Sequence, residues 1–210
     1  KQKETEQPIQ NKEGIDSFKR KMEGIDYVFS QSPELASIGS KAQYLQYLST
    51  IFKTSKVKDI VYHDGGHGKI KEEGFRKDLI GISDGGVLGN GFYFYFDRNK
   101  RYAEQRSHTE SVLLNVKNVS TKTEILKLAN LENGLGQYEK ALSKLSGITV
   151  DTKIKGIHGK YIGNYADALT KIGVDGVKGK YGTGEEIVVF EPEQIHILGS
   201  KQDIEGFKEF

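Results

Sequence analysis

Five consecutive aromatic residues, Phe92-Tyr93-Phe94-Tyr95-Phe96, constrain this chain more than any other feature. Large planar side chains at successive positions favour an extended backbone, and an apolar run with no polar break reads as a strand covered on both faces. Gly89-Asn90-Gly91 leads into it, and Asp97-Arg98-Asn99 follows as the start of a helix over about 99–107. The rest of the chain must therefore supply cover for two faces of a sheet.

Further elements follow from local signals. Ile15, Phe18, Met22 and Ile25 trace one amphipathic helix around 14–24, after a mobile start. Ser32-Pro33-Glu34-Leu35 reads as a helix start with Ser32 as N-cap, closed by Gly39. Ser40-Lys41-Ala42-Gln43 is a capping box for a helix over 41–53, whose apolar face is Ala42, Leu45, Leu48, Ser49 and Phe52. Lys58 to His63 is a strand ending in Asp64-Gly65-Gly66-His67-Gly68, and Ser111 to Val116 is another. Two helices parted near Asn133-Gly134 span 121–145, and Tyr165 to Ile172 is a helix stopped by Gly173. Strands are expected at Asp175 to Lys178, Glu186 to Phe190 and Gln194 to Leu198. Strands and helices mix without regular βαβ alternation, so the fold class is α+β.

Composition excludes several functions. Thirty-one basic and twenty-nine acidic side chains give a net charge of +2, so capture of nucleic acid by overall charge is not indicated. Lys53, Lys56, Lys58, Lys69, Lys71, Lys178 and Lys180 read as a solvated rim. The absence of Cys removes disulfides, a thiolate nucleophile and a Cys-ligated zinc site together. No apolar run reaches the ~18 residues a membrane span needs, and a soluble monomer is expected. The first residue is Lys rather than Met, so the chain reads as a processed product or a piece of something longer.

Familiar motifs fail on inspection. Gly66-His67-Gly68-Lys69 lacks the Ser or Thr that a phosphate loop places after Lys, because Ile70 stands there. The three spaced glycines of a Rossmann dinucleotide site are not completed after Gly66 and Gly68 or after Gly89 and Gly91. His63 and His67 have zinc-compatible spacing only on a helix, and glycines separate them, so no metal is expected. No Gly-x-Ser-x-Gly elbow anchors a Ser-His-Asp triad.

Three segments remain, each a strand ending beside glycine: Val61-Tyr62-His63, Gly89-Asn90-Gly91-Phe92-Tyr93-Phe94, and Glu185 to Ile195. Together they resemble the His-Tyr-Glu branch of the ADP-ribosyltransferases, which includes the diphtheria-toxin-like toxins and the poly(ADP-ribose) polymerases. The Glu strand with Phe190-Glu191-Pro192-Glu193-Gln194-Ile195 looks like the bacterial and phage members within polyvalent mobile-element proteins, as does Glu34 to Gly39. The resemblance spans roughly residues 32–198. It implies a split β-sandwich of two small sheets with flanking helices, residues 1–31 being a polar, partly helical N-terminal extension and 32–210 the catalytic domain.

The resemblance also implies NAD as co-substrate, Glu186 as catalytic carboxylate, and His63 and Tyr93 beside it. His63 would bind the adenosine ribose, Tyr93 would stack on nicotinamide, and Tyr102 would form a second wall. The family's His-Gly-Ser/Thr reads His63-Asp64-Gly65, so either Asp64 or Gly65 offers the backbone that holds the nicotinamide amide, or NAD binding is impaired. Tyr181, Thr183 and Glu185 fall in the family's substrate-recognition turn. Gly184 stands where arginine-modifying toxins carry Glu or Gln, which disfavours an arginine target. Breaking the nicotinamide–ribose bond develops positive charge on the sugar, and a carboxylate at 186 suits that need. The expected activity is mono-ADP-ribosyl transfer to a macromolecular acceptor, protein or nucleic acid. NAD hydrolysis and an inactive NAD- or ADP-ribose-binding module are the alternatives, and delivery by a secretion system or phage into a host cytoplasm is the route the resemblance suggests.

Overall fold

The computed structural model describes residues 7–64, 69–81, 86, 88–97, 109–156, 158–181 and 184–210, with side chains of the first helix described from Asp16 onward. The helix expected over 99–107 lies outside these residues. The fold is α+β. Helices α1 (Gln7–Gln31), α2 (Leu35–Ile38) and α3 (Lys41–Thr50) precede strand β1 (Val61–Asp64). The short helix α4 (Ile70–Glu73) then leads to β2 (Phe92–Tyr95), β3 (Thr109–Leu114) and β4 (Val119–Thr121). Helices α5 (Lys122–Leu128), α6 (Gln137–Ser146) and α7 (Tyr165–Lys171) follow, then β5 (Gly176–Tyr181), β6 (Gly184–Val189), β7 (Ile195–Ile197) and α8 (Lys201–Glu209).

All seven strands join one sheet in the order β4-β5-β6-β2-β1-β3-β7, antiparallel except for the β4–β5 pair. One continuous strand order thus stands where two small sheets were expected. The join between β2 and β1 is narrow, however: its register consists of the one pair Tyr62↔Tyr95, whereas β2 and β6 share four pairs. The sheet thus has four strands on one side of a waist and three on the other.

Alternation along the strands sorts the core. Phe92 and Phe94, Ile187 and Val189, Val61, and Val112 and Leu114 share one face and form one buried cluster drawn from both sides of the waist. On the opposite face Val177 and Val188 pack with Ile125, Leu142 and Leu169 of α5, α6 and α7. Tyr62 and Leu113 on that face pack with Ile25 and Val28 of α1 and with residues of α3 and α8. Burying each such side chain contributes about 1.5–3 kcal/mol, so the two faces hold both sides of the waist in place.

Local signals set most helix ends. The capping box of α3 forms as expected, with Ser40 and Gln43 bonding reciprocally. Its buried face is Tyr44, Tyr47 and Leu48 rather than the Ala42-to-Phe52 stripe, because the tyrosines reach α8: Tyr44 lies 5.0 Å and Tyr47 5.6 Å from the Phe207 ring. Ser32 does not cap α2. Glu34 occupies the cap position, and the buried Ser32 hydroxyl accepts from Lys71 Nζ at 3.3 Å. The helix expected over 14–24 runs from Gln7 to Gln31, because Ile25 and Val28 extend its apolar stripe into the core.

Asp203, 0% exposed, ties α8 to the sheet edge. Its carboxylate accepts from Tyr44 Oη at 2.5 Å, Gly199 N at 2.7 Å and His196 Nε2 at 2.8 Å. Burial, then the adjoining carboxylate, push the Tyr44 hydroxyl far above the usual tyrosine range, so it stays a donor. Asp203→Ala leaves these buried donors unmatched and is expected to lower unfolding stability by about 3 kcal/mol in urea titration. A loss below about 1 kcal/mol would show that water or neighbouring groups replace the carboxylate.

Candidate active site

The three motif segments are neighbours in the sheet, β6 beside β2 and β2 beside the waist to β1. Register pairs Tyr62 with Tyr95 and Tyr95 with Glu186, so these three side chains leave the same face in one row. Tyr93 and Asp64, each two residues along, share that face. Glu186 is 3% exposed, a carboxylate inside the protein just ahead of the apolar run Ile187-Val188-Val189 of β6. Strand pairing on both sides places it there, since Glu186 lies opposite Tyr95 on β2 and Gly179 on β5.

His63 belongs to the other face by alternation, where its ring lies 5.0 Å from Phe75 and 5.6 Å from Phe94. Its Nδ1 stands 2.9 Å from the carbonyl oxygen of Tyr93. A carbonyl only accepts, so Nδ1 carries the proton and Nε2 of the neutral ring is an acceptor. His63 does not share a face of the sheet with Glu186 and Tyr93. It reaches the Tyr93 carbonyl across the gap between the strands.

Hydrogen-bond parity explains that gap. Leu198 N donates to Ser111 O, so Ser111 turns its peptide groups toward the β7 side. Val112 then faces β1, and Tyr62 and Asp64 turn theirs away from β3 toward β2. Phe96 N donates to Glu185 O, so Phe94 faces β6 and Tyr93 and Tyr95 face β1. The Tyr93 carbonyl is thus aimed at β1, and the His63 imidazole meets it where the ladder has ended. The backbone N–H and C=O of Asp64 are directed into the same gap.

The Asp64 side chain is buried and accepts from Thr109 Oγ1 at 3.1 Å. Thr109 stands directly opposite it on β3. The Asp64 side chain leaves by the face of the sheet, and its peptide groups lie in the plane of the sheet.

The Tyr93 side chain also holds the loop that precedes β2. Its hydroxyl donates to Gly89 O at 2.8 Å and accepts from Leu88 N at 2.9 Å and Gly89 N at 3.0 Å. The ring packs against Gly86, where φ is +72° and a Cβ would lie 2.1 Å from the tyrosine hydroxyl. Only glycine fits that contact.

Gly65, Tyr102 and Thr183 lie outside the described residues, as does the side chain of Tyr181. Glu185 is exposed, opposite Lys180, and on the face away from Glu186. Sequence reading missed Tyr95, Tyr62, Thr109 and Phe75. Tyr95 was accessible from the alternation within the aromatic run, whereas nothing local to Thr109 or Phe75 marked their cross-strand contacts. Of the basic rim, Lys180 stands opposite Glu185 in the strand register, and Lys178 Nζ sits 4.4 Å from the Phe96 ring centroid. Among the described residues no group of three or more His, Asp or Glu is placed to hold a metal ion. Among them, too, no helix is long and apolar enough to cross a membrane.

Tyr93→Phe keeps the ring and removes three hydrogen bonds to the loop at 88–89. The expected cost is about 1–3 kcal/mol in denaturant unfolding, and an unchanged midpoint would mean the loop is held by other contacts. No protein-family model, curated protein or solved structure matches the chain.

Proposed function

We propose that the chain is a mono-ADP-ribosyltransferase that moves ADP-ribose from NAD to a macromolecular acceptor and releases nicotinamide, on the split β-sandwich of the His-Tyr-Glu branch. The observation that carries this reading is the adjacency of the three motif strands at the waist. A buried Glu186 shares a face with Tyr93, and the His63 imidazole bonds the Tyr93 carbonyl across the gap. The narrow waist, with four strands on one side and three on the other, is compatible with the two-sheet arrangement of that family.

The residues fit the chemistry of the nicotinamide–ribose bond. Glu186 accepts a hydrogen bond from a hydroxyl of the nicotinamide ribose and stabilises positive charge on the anomeric carbon as the bond lengthens. A buried carboxylate acts there in a low-dielectric setting, where its charge counts for more than in water. The bonding pair leaves with nicotinamide, the acceptor atom bonds to the anomeric carbon, and the acceptor's proton passes to solvent. Tyr93 offers its ring to the cationic pyridinium by stacking and cation–π attraction. Nε2 of His63 accepts from a hydroxyl of the adenosine ribose. The Asp64 peptide groups, aimed into the gap, can pair with the carboxamide as the family's glycine does.

Incubation with NAD labelled on its adenylate part tests the reading. Label on a macromolecule supports transfer, free ADP-ribose supports hydrolysis with water as acceptor, and intact NAD supports a binding module. Glu186→Gln is expected to abolish turnover while NAD affinity stays within about tenfold, ~1.4 kcal/mol, because the group acts mainly on the transition state. Full turnover in the folded variant would overturn the assignment of Glu186.

A further inference from the structure

We propose that Tyr27 of α1 is a positioning residue of the NAD site and that α1, read from sequence as an extension outside the domain, forms part of that site. The inference rests on the NAD reading above for its functional consequence. Two contacts carry it.

The first is a chain of hydrogen bonds from the helix to the lip of the gap. Tyr27 Oη donates to the carbonyl oxygen of Thr109 at 3.3 Å. Thr109 has the same parity as Ser111, so that carbonyl is turned away from β1, and the β3–β7 register begins only at Val112. Among the described residues no strand amide meets that carbonyl, and the Tyr27 hydroxyl takes that place at the start of β3. The Thr109 side chain in turn donates to Asp64 Oδ1 at 3.1 Å. Asp64 is the last residue of β1, and its peptide groups face the gap.

The second contact lies one turn earlier. Gly24 is buried against the same strand, and a Cβ there would stand 2.9 Å from Tyr62 Oη and 3.0 Å from Ile60 Cδ1. Tyr62 is the residue that makes the single waist pair with Tyr95, opposite Glu186. The helix thus approaches both ends of the β1 segment that faces the gap. Ile25 and Val28, buried beside these contacts, keep α1 seated there.

Tyr27 acts through Thr109 and Asp64 on the backbone that would hold the carboxamide, so its loss should weaken NAD binding more than it slows the chemical step. The test uses the full chain with Tyr27→Phe, Thr109→Val and the double variant. Amide hydrogen exchange over 61–64 and 109–111 reads the anchoring, calorimetry with NAD reads affinity, and NAD consumption reads turnover. Expected for Tyr27→Phe is exchange at these amides faster by about tenfold, NAD affinity weaker by about fivefold, and saturated turnover within about twofold. The double variant should bind NAD no more weakly than the worse single one, because both break one chain.

Unchanged exchange at 61–64, additive losses in the double variant, or a fall in saturated turnover with affinity intact would each overturn the positioning role. A parent chain that binds no NAD would overturn the functional reading, and the exchange data would still decide whether Tyr27 anchors this strand end.

Discussion

The structure depends on how two parts of one sheet are held together at a single residue pair. Tyr62 and Tyr95 keep the only ladder register between β1 and β2 among the described residues. Beyond them the Tyr93 carbonyl bonds a side chain, the His63 imidazole, in place of a backbone amide. A full ladder would have matched every peptide group in the plane of the sheet and left no opening. A complete separation would have exposed aromatic residues on both strands. The waist is a compromise in which packing on two faces replaces hydrogen bonds between the strands.

Burial on both faces makes this possible. One cluster spans the waist with Val61, Phe94, Val112 and Ile187, all fully buried, so parting the halves would expose a continuous apolar surface. The opposite face is covered by two separate groups of helices, α5 to α7 over β5 and β6, and α1, α3 and α8 over β1 and β3. The row from Tyr62 through Tyr95 to Glu186 starts beneath the second group, where Tyr62 is buried, and runs toward the first. A polar group can stand there because the helices on either side bury their own contacts first.

Legibility followed the range of the signals. Helix ends set by neighbouring residues were readable: the Ser40 and Gln43 capping box, the break near Gly134 and the stop at Gly173 all stand where local chemistry puts them. The aromatic run was readable as a strand, but not its asymmetry, with Phe92 and Phe94 buried and Tyr93 and Tyr95 partly exposed. That difference is set by the helices on one face, which no short window contains. The buried face of α3 was misread for the same reason, since Tyr44 is drawn inward by Asp203 at the far end of the chain. Strand β4 escaped notice because three residues paired in parallel to β5 leave no alternation to detect. Of the candidate site, the three strand ends were legible from their glycines and polar residues. Their adjacency is set by strand pairing over long range, and so is the side of β1 from which His63 enters.

Under the proposed reading, the gap beside the waist, with Glu186 on one side and His63 on the other, is where NAD would be held and cleaved. Titrating the isotope-labelled chain with a non-cleavable NAD analogue and following backbone amide resonances tests this most directly. The account predicts saturable shifts concentrated at Asp64, Tyr93, Tyr95 and Glu186, with α6 and β4 unmoved. Saturable shifts confined to another surface, or none at all in the folded protein, would contradict it.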